Sequence, residues 1–140
     1  MDHGEKTLGL AFSNPELTIS TPFRTLRGKK FTENLKDLMA LCAEYSVRGF
    51  VIGLPINMDD SEGKRCESVR SFGQNLLNAK AAFGFDPLIA FFDERLSSFA
   101  VEQQMIDDLG MKRKKRDEKI DQLAAAHILQ GALDEINKAQ

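Results

Sequence analysis

Three acidic residues that lie far apart in the sequence are the first candidates for chemistry: Asp2, Glu94 and Asp121. Glu94 and its neighbour Asp93 follow an apolar run directly, which places at least one carboxylate at the carboxyl end of a predicted strand. Ligands bind at such strand ends in open α/β sheets. The alternative interpretation is that one of the two caps the next helix or pairs with Arg95.

Asp121 lies on a predominantly apolar face of the last predicted helix, one turn before Ala124 and Ala125. An aspartate on a buried face needs a partner or a metal, whereas one in a first helical turn can simply complement the helix dipole. Asp2 alone is only a terminal acid. Together, three carboxylates that converge at strand ends could hold two Mg²⁺ or Mn²⁺ ions and support phosphodiester hydrolysis.

Two further segments could contact a substrate. Residues 112–116 form a basic block that includes Lys112, Arg113 and Lys114, and it could grip phosphates or be a solvated surface. The polar loop after residue 54 offers Asn57 and Ser61, but it could also just reverse the chain and cap the next helix through Asp60 or Ser61. His3 and His127 lack metal-ligand spacing, so we interpret His3 as a loop residue and His127 as a helix packing residue.

The elements that must position these residues form an α/β pattern. We predict a hairpin of residues 8–12 and 17–20, and two interior parallel strands, 50–54 and 88–92, covered by helices on both faces. Helical spacing predicts four helices: residues 35–45 with Thr32 as N-cap, 69–77, a third from Ser97 or Ser98 to Gly110, and 117–137. The predicted fold is a mixed central β-sheet flanked by α-helices on both faces.

Composition limits the remaining possibilities. The 140 residues are enough for one domain, and 42% apolar and 29% charged residues are typical of a globular protein. A net charge of −2 gives no global reason to bind nucleic acid, so such binding would need a local patch. We expect Cys42 and Cys66 to be buried reduced thiols. Without a signal peptide or a membrane span, we expect a cytoplasmic protein.

Four stretches, taken together, resemble the YqgF/RuvX family of RNase H-like proteins, which are described as Holliday junction resolvases and as pre-16S rRNA nucleases. The resemblance covers nearly the whole chain. The stretches are Asp2-His3-Gly4-Glu5-Lys6-Thr7-Leu8-Gly9, Gly53-Leu54-Pro55-Ile56-Asn57-Met58-Asp59, Asp93-Glu94-Arg95-Leu96-Ser97 and Ile120-Asp121-Gln122-Leu123-Ala124-Ala125.

The resemblance implies a single RNase H-like domain over residues 1–140 in which Asp2, Glu94 and Asp121 bind Mg²⁺ or Mn²⁺. It further implies that Lys6 and Arg95 position phosphate, and that the substrate is nucleic acid. The leading hypothesis is a nuclease that processes the 5′ end of pre-16S rRNA. The alternatives are a resolvase of four-way DNA, which would need a symmetric dimer, and a non-catalytic RNA-binding assembly factor. Monomer and homodimer both stay open, and no membrane partner is expected.

The sequence departs from the family pattern at two places. Asp60 stands where the family has a glycine, which adds a negative charge to the loop and is expected to alter substrate contact more than the fold. Only Met1 precedes Asp2, where family members have the apolar residues of a central strand. We therefore expect a truncated first strand and an Asp2 that is loosely held.

Overall fold

The computed structural model describes residues 1–28, 30–97 and 113–139, with the side chains of the last range described from residue 115 onward. These ranges contain strands and helices in alternation, which confirms the α/β class. The elements are β1 (Asp2–His3), β2 (Thr7–Ser13), β3 (Ser20–Arg27), α1 (Phe31–Tyr45), β4 (Gly49–Leu54), α2 (Lys64–Asn78), α3 (Lys80–Phe83), β5 (Leu88–Asp93), a 3-10 helix (Glu94–Leu96) and α4 (Arg113–Lys138).

The strands form two small sheets where the sequence analysis predicted one mixed sheet. β2 pairs antiparallel with β1 and with β3, and β4 pairs parallel with β5. Met1 connects the two sheets: its amino group donates to the Val51 carbonyl at 2.5 Å, and its carbonyl accepts from the Gly53 N–H at 3.0 Å. The chain just before β1 is therefore hydrogen-bonded to β4.

The hairpin prediction is confirmed, but its second strand begins later than expected, at Ser20. Asn14 explains the longer turn, because its Oδ1 accepts from the backbone N–H groups of Thr18 at 2.8 Å and Ile19 at 3.0 Å. Leu17 lies in the left-handed region at φ 58°. These bonds commit residues 14–19 to the turn and leave them unable to pair with β2.

Thr32 is not the N-cap of α1, so that prediction is wrong. Helix α1 begins at Phe31, so Thr32 lies inside it, and the N-cap position of α2 is Gly63; neither helix has a side-chain cap. The alternative that Asp60 or Ser61 caps α2 is therefore also wrong. The Ser61 hydroxyl instead donates to Asp59 Oδ1 within the loop after β4.

Helix α4 packs closely across both sheets. Ala125 is fully buried and Ile128 is 2% exposed. A Cβ atom on Gly9 of β2 would lie 2.2 Å from the Asp121 carbonyl oxygen, so only glycine permits this approach. The close packing expected from residues 124–126 is confirmed, although α4 begins at Arg113, four residues earlier than predicted.

The two parallel strands are confirmed, but β5 is less covered than expected. Leu88 is 73% exposed and Phe91 is 36% exposed. Helices nevertheless contact both faces of the strand, because Phe92 lies against Gly131 of α4. Phe91 is covered on one side, because it contacts Gly73 of α2. The third predicted helix falls mainly on residues 98–112, outside the described residues.

Cys42 and Cys66 are buried free thiols, as expected. Across the described ranges, we find no helix that combines the length and the apolar character needed to cross a membrane.

Candidate active site

Asp2 is held at the junction of the two sheets. It lies in β1 opposite Gly9 of β2, while the preceding Met1 is hydrogen-bonded to β4 on both of its backbone polar groups. Met1 is only 7% exposed. The expectation of a loosely held Asp2 is therefore wrong, because backbone pairing fixes residues 1–3 from both sides.

Glu94 lies on the β4 side of Asp2. It opens the 3-10 helix that follows β5 directly. A Cβ atom on Gly53 would lie 2.6 Å from Glu94 Oε1, so the carboxylate lies against the backbone of Gly53. Since Gly53 is also the residue that bonds Met1, the carboxylate is brought next to the start of β1.

Asp121 lies on the β2 side of Asp2. Its backbone contacts Gly9, the residue that pairs with Asp2 across the β1–β2 ladder. Thr7 of β2 donates a side-chain hydrogen bond to the Asp121 carboxylate, which favours the charged form. The structure thus brings the three predicted carboxylates around β1, each on a different element.

Burial raises the pKa of all three carboxyl groups, and repulsion within the group adds to it for Asp2 and Glu94. Burial has the largest effect on the pKa of Asp2, followed by the charge of Asp121. Burial and then the charge of Asp2 raise the pKa of Glu94 to about 6, and burial is the main cause of the raised pKa of Asp121. Asp2 is therefore the middle carboxylate of the group, and it repels Asp121 on one side and Glu94 on the other.

Arg65 is a cation of the site that the sequence analysis missed. It lies in the first turn of α2, and its Nη2 donates to the His3 carbonyl at 3.1 Å. Its charge lowers the pKa of both Asp2 and Glu94. The sequence feature that could have identified Arg65 is its position as a basic residue at the start of the helix after the β4 loop.

His3 is part of β1, so its interpretation as a loop residue is wrong. Its ring packs against Phe72 of α2 with centroids 4.5 Å apart. Burial lowers the pKa of His3, which keeps the ring neutral at pH 7.

Arg95 is fully engaged with neighbouring oxygens. Its guanidinium pairs with Asp93 at 2.7 Å and with Asp60 at 2.9 Å, and it donates to the Asn57 carbonyl at 3.0 Å. The bond to Arg95 lowers the pKa of Asp93. This Arg95 clamp, formed by Arg95, Asp93, Asp60 and Asn57, fastens the loop after β4 to the segment after β5. The alternative interpretation of Asp93 is therefore confirmed: it pairs with Arg95, and its Oδ1 caps the 3-10 helix by accepting from the Arg95 N–H at 3.0 Å.

Two of the other predicted substrate contacts, Lys6 and Asn57, lie on exposed loops. Lys6 is exposed in the turn between β1 and β2, and Asn57 is exposed and donates through Nδ2 to Ser61 Oγ at 3.0 Å. Lys112 lies outside the described residues. Arg113 and Lys114 begin α4, but their side chains are also outside the description.

The donor set of the site fits a hard divalent cation in its chemistry, since carboxylate oxygens are the preferred ligands of Mg²⁺ and Mn²⁺. In the parts of the chain that the structure describes, no group of three His, Cys, Asp or Glu side chains is arranged to hold a metal ion as it stands. Coordination by Asp2, Glu94 and Asp121 together would therefore require their side chains to rotate.

Comparison with known proteins places the chain in a family. The RuvX family model, described as Holliday junction resolvase, matches residues 1–135. A protein of Rhodospirillum centenum named "Putative pre-16S rRNA nuclease" is 51% identical over 99% of this chain and 73% of its own length. Proteins of the same name from Paramagnetospirillum magneticum and Rhodobacter capsulatus are each 47% identical, over 96% and 97% of this chain and 83% and 82% of their own lengths. On these matches, the chain is a member of the RuvX family.

Proposed function

We propose that this protein is a divalent-metal-dependent nuclease that hydrolyses phosphodiester bonds in structured RNA, and that it processes the 5′ end of pre-16S rRNA during ribosome biogenesis in the cytoplasm. The observation that carries the proposal is the convergence of Asp2, Glu94 and Asp121 around β1. Burying three acids together raises their pKa values and costs stability, which is typical of functional sites. We further propose that the two sheets are parts of one RNase H-like central sheet joined through Met1.

In this proposal, Asp2, Glu94 and Asp121 are the ligands of Mg²⁺ or Mn²⁺, in a site for two ions. Divalent ions, when bound, supply the Lewis acidity that phosphodiester hydrolysis needs. The contribution of the chain is to hold the acids on three rigid backbone elements. The close contacts at Gly9 and Gly53 support this, because they fix Asp121 and Glu94 against the strands on either side of Asp2.

We propose that four basic residues and one amide position the substrate. They keep the role predicted from the sequence, as contacts to RNA: Lys6, Asn57, Lys112, Arg113 and Lys114. Arg95 could contact phosphate only by leaving Asp60 or Asp93, so we propose that it orders the loop after β4 in the unbound protein.

RNA is the favoured substrate because the relatives compared above carry the name of a pre-16S rRNA nuclease. The description of the family as a Holliday junction resolvase favours four-way DNA as the second candidate. A resolvase would need two copies of the site to cut two strands.

The test is cleavage of end-labelled pre-16S rRNA and of a four-way DNA junction, in parallel, with Mg²⁺, with Mn²⁺ and with EDTA. The proposal predicts cuts in the RNA that require the metal. Cuts confined to the DNA junction would favour the resolvase. Binding of RNA without any cut, in every metal condition, would favour the non-catalytic assembly factor and contradict the proposal.

A further inference from the structure

A cavity of about 420 Å³ lies beside the acidic site, between the β1–β2 turn, the start of α1 and the first half of α2. Its size falls in the range of small-ligand sites. His3 lines it, directly after Asp2 in β1, and Arg65 lines it from α2. The cavity therefore shares a strand and a cation with the candidate active site.

The charge of the cavity suits an anion. Lys30, Lys64 and Arg65 line it, against a single carboxylate, that of Glu5. This local excess of positive charge stands out in a chain of net charge −2. Within the described parts of the chain, none of the three cations forms an ion pair with a carboxylate. Lys30 and Lys64 are therefore available to a phosphate group, and Arg65 could bind one with the guanidinium N–H groups that do not donate to the His3 carbonyl.

Another part of the lining is aromatic and suits a base. The His3 ring lies against Phe72, and Phe31 meets Phe72 edge-on with ring centroids 5.8 Å apart. His3 and Phe31 are half-buried, so part of each ring faces the cavity. Nucleobases stack on such partly exposed rings, and unpaired RNA bases are commonly recognised in this way.

Asn34 adds a polar group that lacks a partner. Its Oδ1 is buried and accepts no hydrogen bond from the described residues. Gly28 lies close to it, because a Cβ atom there would be 2.7 Å from this oxygen. A buried acceptor without a partner costs stability, and rotation of the Asn34 side chain into the cavity would let this oxygen accept from the N–H edge of a base.

We propose that this cavity is a nucleotide subsite that binds one unpaired nucleotide of the RNA substrate, with its base against His3, Phe31 and Asn34 and its phosphate against Lys64 and Arg65. The inference rests on the proposed function, since it places this nucleotide next to the acidic site. It adds a requirement that the acids alone do not impose: the RNA must present an unstacked nucleotide close to the cleaved bond.

The experiment is a titration of the isotope-labelled full chain with nucleoside monophosphates, followed by NMR in EDTA. Ribose phosphate serves as the probe without a base. We expect the backbone signals of Phe31, Asn34, Ser68 and Ser71 to shift. Ribose phosphate should bind about tenfold more weakly, the typical value of one stacked base.

Variants assign the two halves of the subsite. Arg65→Gln should weaken the binding of nucleotide and of ribose phosphate alike. Asn34→Leu should weaken the binding of the nucleotide alone. Asn34→Ser is the substitute if the leucine variant does not fold. The matched control is Lys36→Gln, which removes one exposed cation of α1 that does not line the cavity. It should change neither affinity.

Equal affinity for nucleotide and ribose phosphate would overturn the proposal, as would signal shifts elsewhere or an Arg65→Gln variant that behaves like Lys36→Gln. Glu94→Gln should still bind nucleotide in EDTA. If nucleotides fill the cavity while no RNA is cut, the nuclease proposal fails and the subsite stands. If RNA is cut but nucleotides do not bind in the cavity, only the subsite fails.

Discussion

Among single residues, Glu94 is a candidate site residue whose ionisation also affects the stability of the fold. Its pKa is raised from the ordinary value of 4.5 to about 6, chiefly by burial. The folded chain therefore holds this proton more tightly than the unfolded chain does. The free energy of unfolding consequently falls as pH rises from 4.5 to about 6 and stays lowered above that range.

Replacement of Glu94 with glutamine should remove this penalty. After allowance for solvent screening, we expect Glu94→Gln to raise the free energy of unfolding by about 1 kcal/mol at pH 7 and by nothing below pH ~4. Denaturant unfolding at several pH values measures the difference. Glu44→Gln, an exposed acid of α1, is the control and should match the native chain throughout. A Glu94→Gln variant less stable than the native chain at pH 7 would contradict the assigned environment.

Asp60 offers a second test at this scale, because its backbone is left-handed at φ 70°. Glycine adopts this conformation without strain, and aspartate tolerates it better than alanine. Asp60 also contributes one arm of the Arg95 clamp, but its side chain is 85% exposed, so that ion pair is weak.

We expect Asp60→Gly to stay within about 0.5 kcal/mol of the native stability, since relief of strain offsets the lost ion pair. Asp60→Ala should destabilise by about 1 kcal/mol, because it loses the ion pair and keeps the strain. Thermal unfolding of both variants side by side measures the difference. Equal stability of the two would show that the backbone of this turn is unstrained.

At the scale of elements, the approach of α4 to β2 determines where Asp121 lies. A side chain at Gly9 would meet the backbone of Asp121, which cannot rotate away. Gly9→Ala should therefore displace α4, destabilise by about 1–3 kcal/mol and reduce RNA cleavage. Gly63→Ala is the control, because its Cβ would find nothing closer than 3.5 Å; we expect it to cost under about 1 kcal/mol. A Gly9→Ala variant with the same free energy of unfolding and the same RNA cleavage rate as the native chain would contradict this packing.

The elements also show what the sequence could and could not predict. The runs 50–54 and 88–92 predicted two parallel strands correctly, because uninterrupted apolar residues are typical of interior strands. The start of β3 was missed because the Asn14 side chain holds a turn that extends to Ile19, beyond residues 13–16 that the predicted hairpin left between its strands. Helix starts were missed because α1 and α2 begin without side-chain caps.

Local sequence patterns identified two of the candidate acids, because Glu94 follows an apolar run and Asp121 interrupts an apolar helix face. The prediction that the three acids converge depended on the resemblance along the whole chain, since no local sequence pattern connects Asp2 with Asp121. Arg65 and the cavity were missed because their parts come from three separate segments, and only the fold brings Phe31, Arg65 and His3 together.

At the scale of the whole molecule, α4 and Met1 make two small sheets into one unit. Ile128 is 2% exposed and contacts both the Gly53 position of β4 and the cluster around Phe92 of β5. Ile128→Ala should cost about 2–5 kcal/mol and reduce hydrogen-exchange protection in β2 and β4 together. Leu88→Ala, at a side chain that is 73% exposed, is the control and should cost under about 0.5 kcal/mol. Loss of protection in only one sheet would show that the two sheets unfold independently.

In our proposal, Asp2, Glu94 and Asp121 form the reacting centre of a nuclease. The cleavage rate of pre-16S rRNA by Glu94→Gln and Asp121→Asn tests this directly, with Glu44→Gln and Asp37→Asn as exposed controls on α1. We predict that both site variants lose at least about 100-fold in rate while they stay folded, and that both controls keep the native rate. Site variants that cut RNA as fast as the controls would contradict the claim.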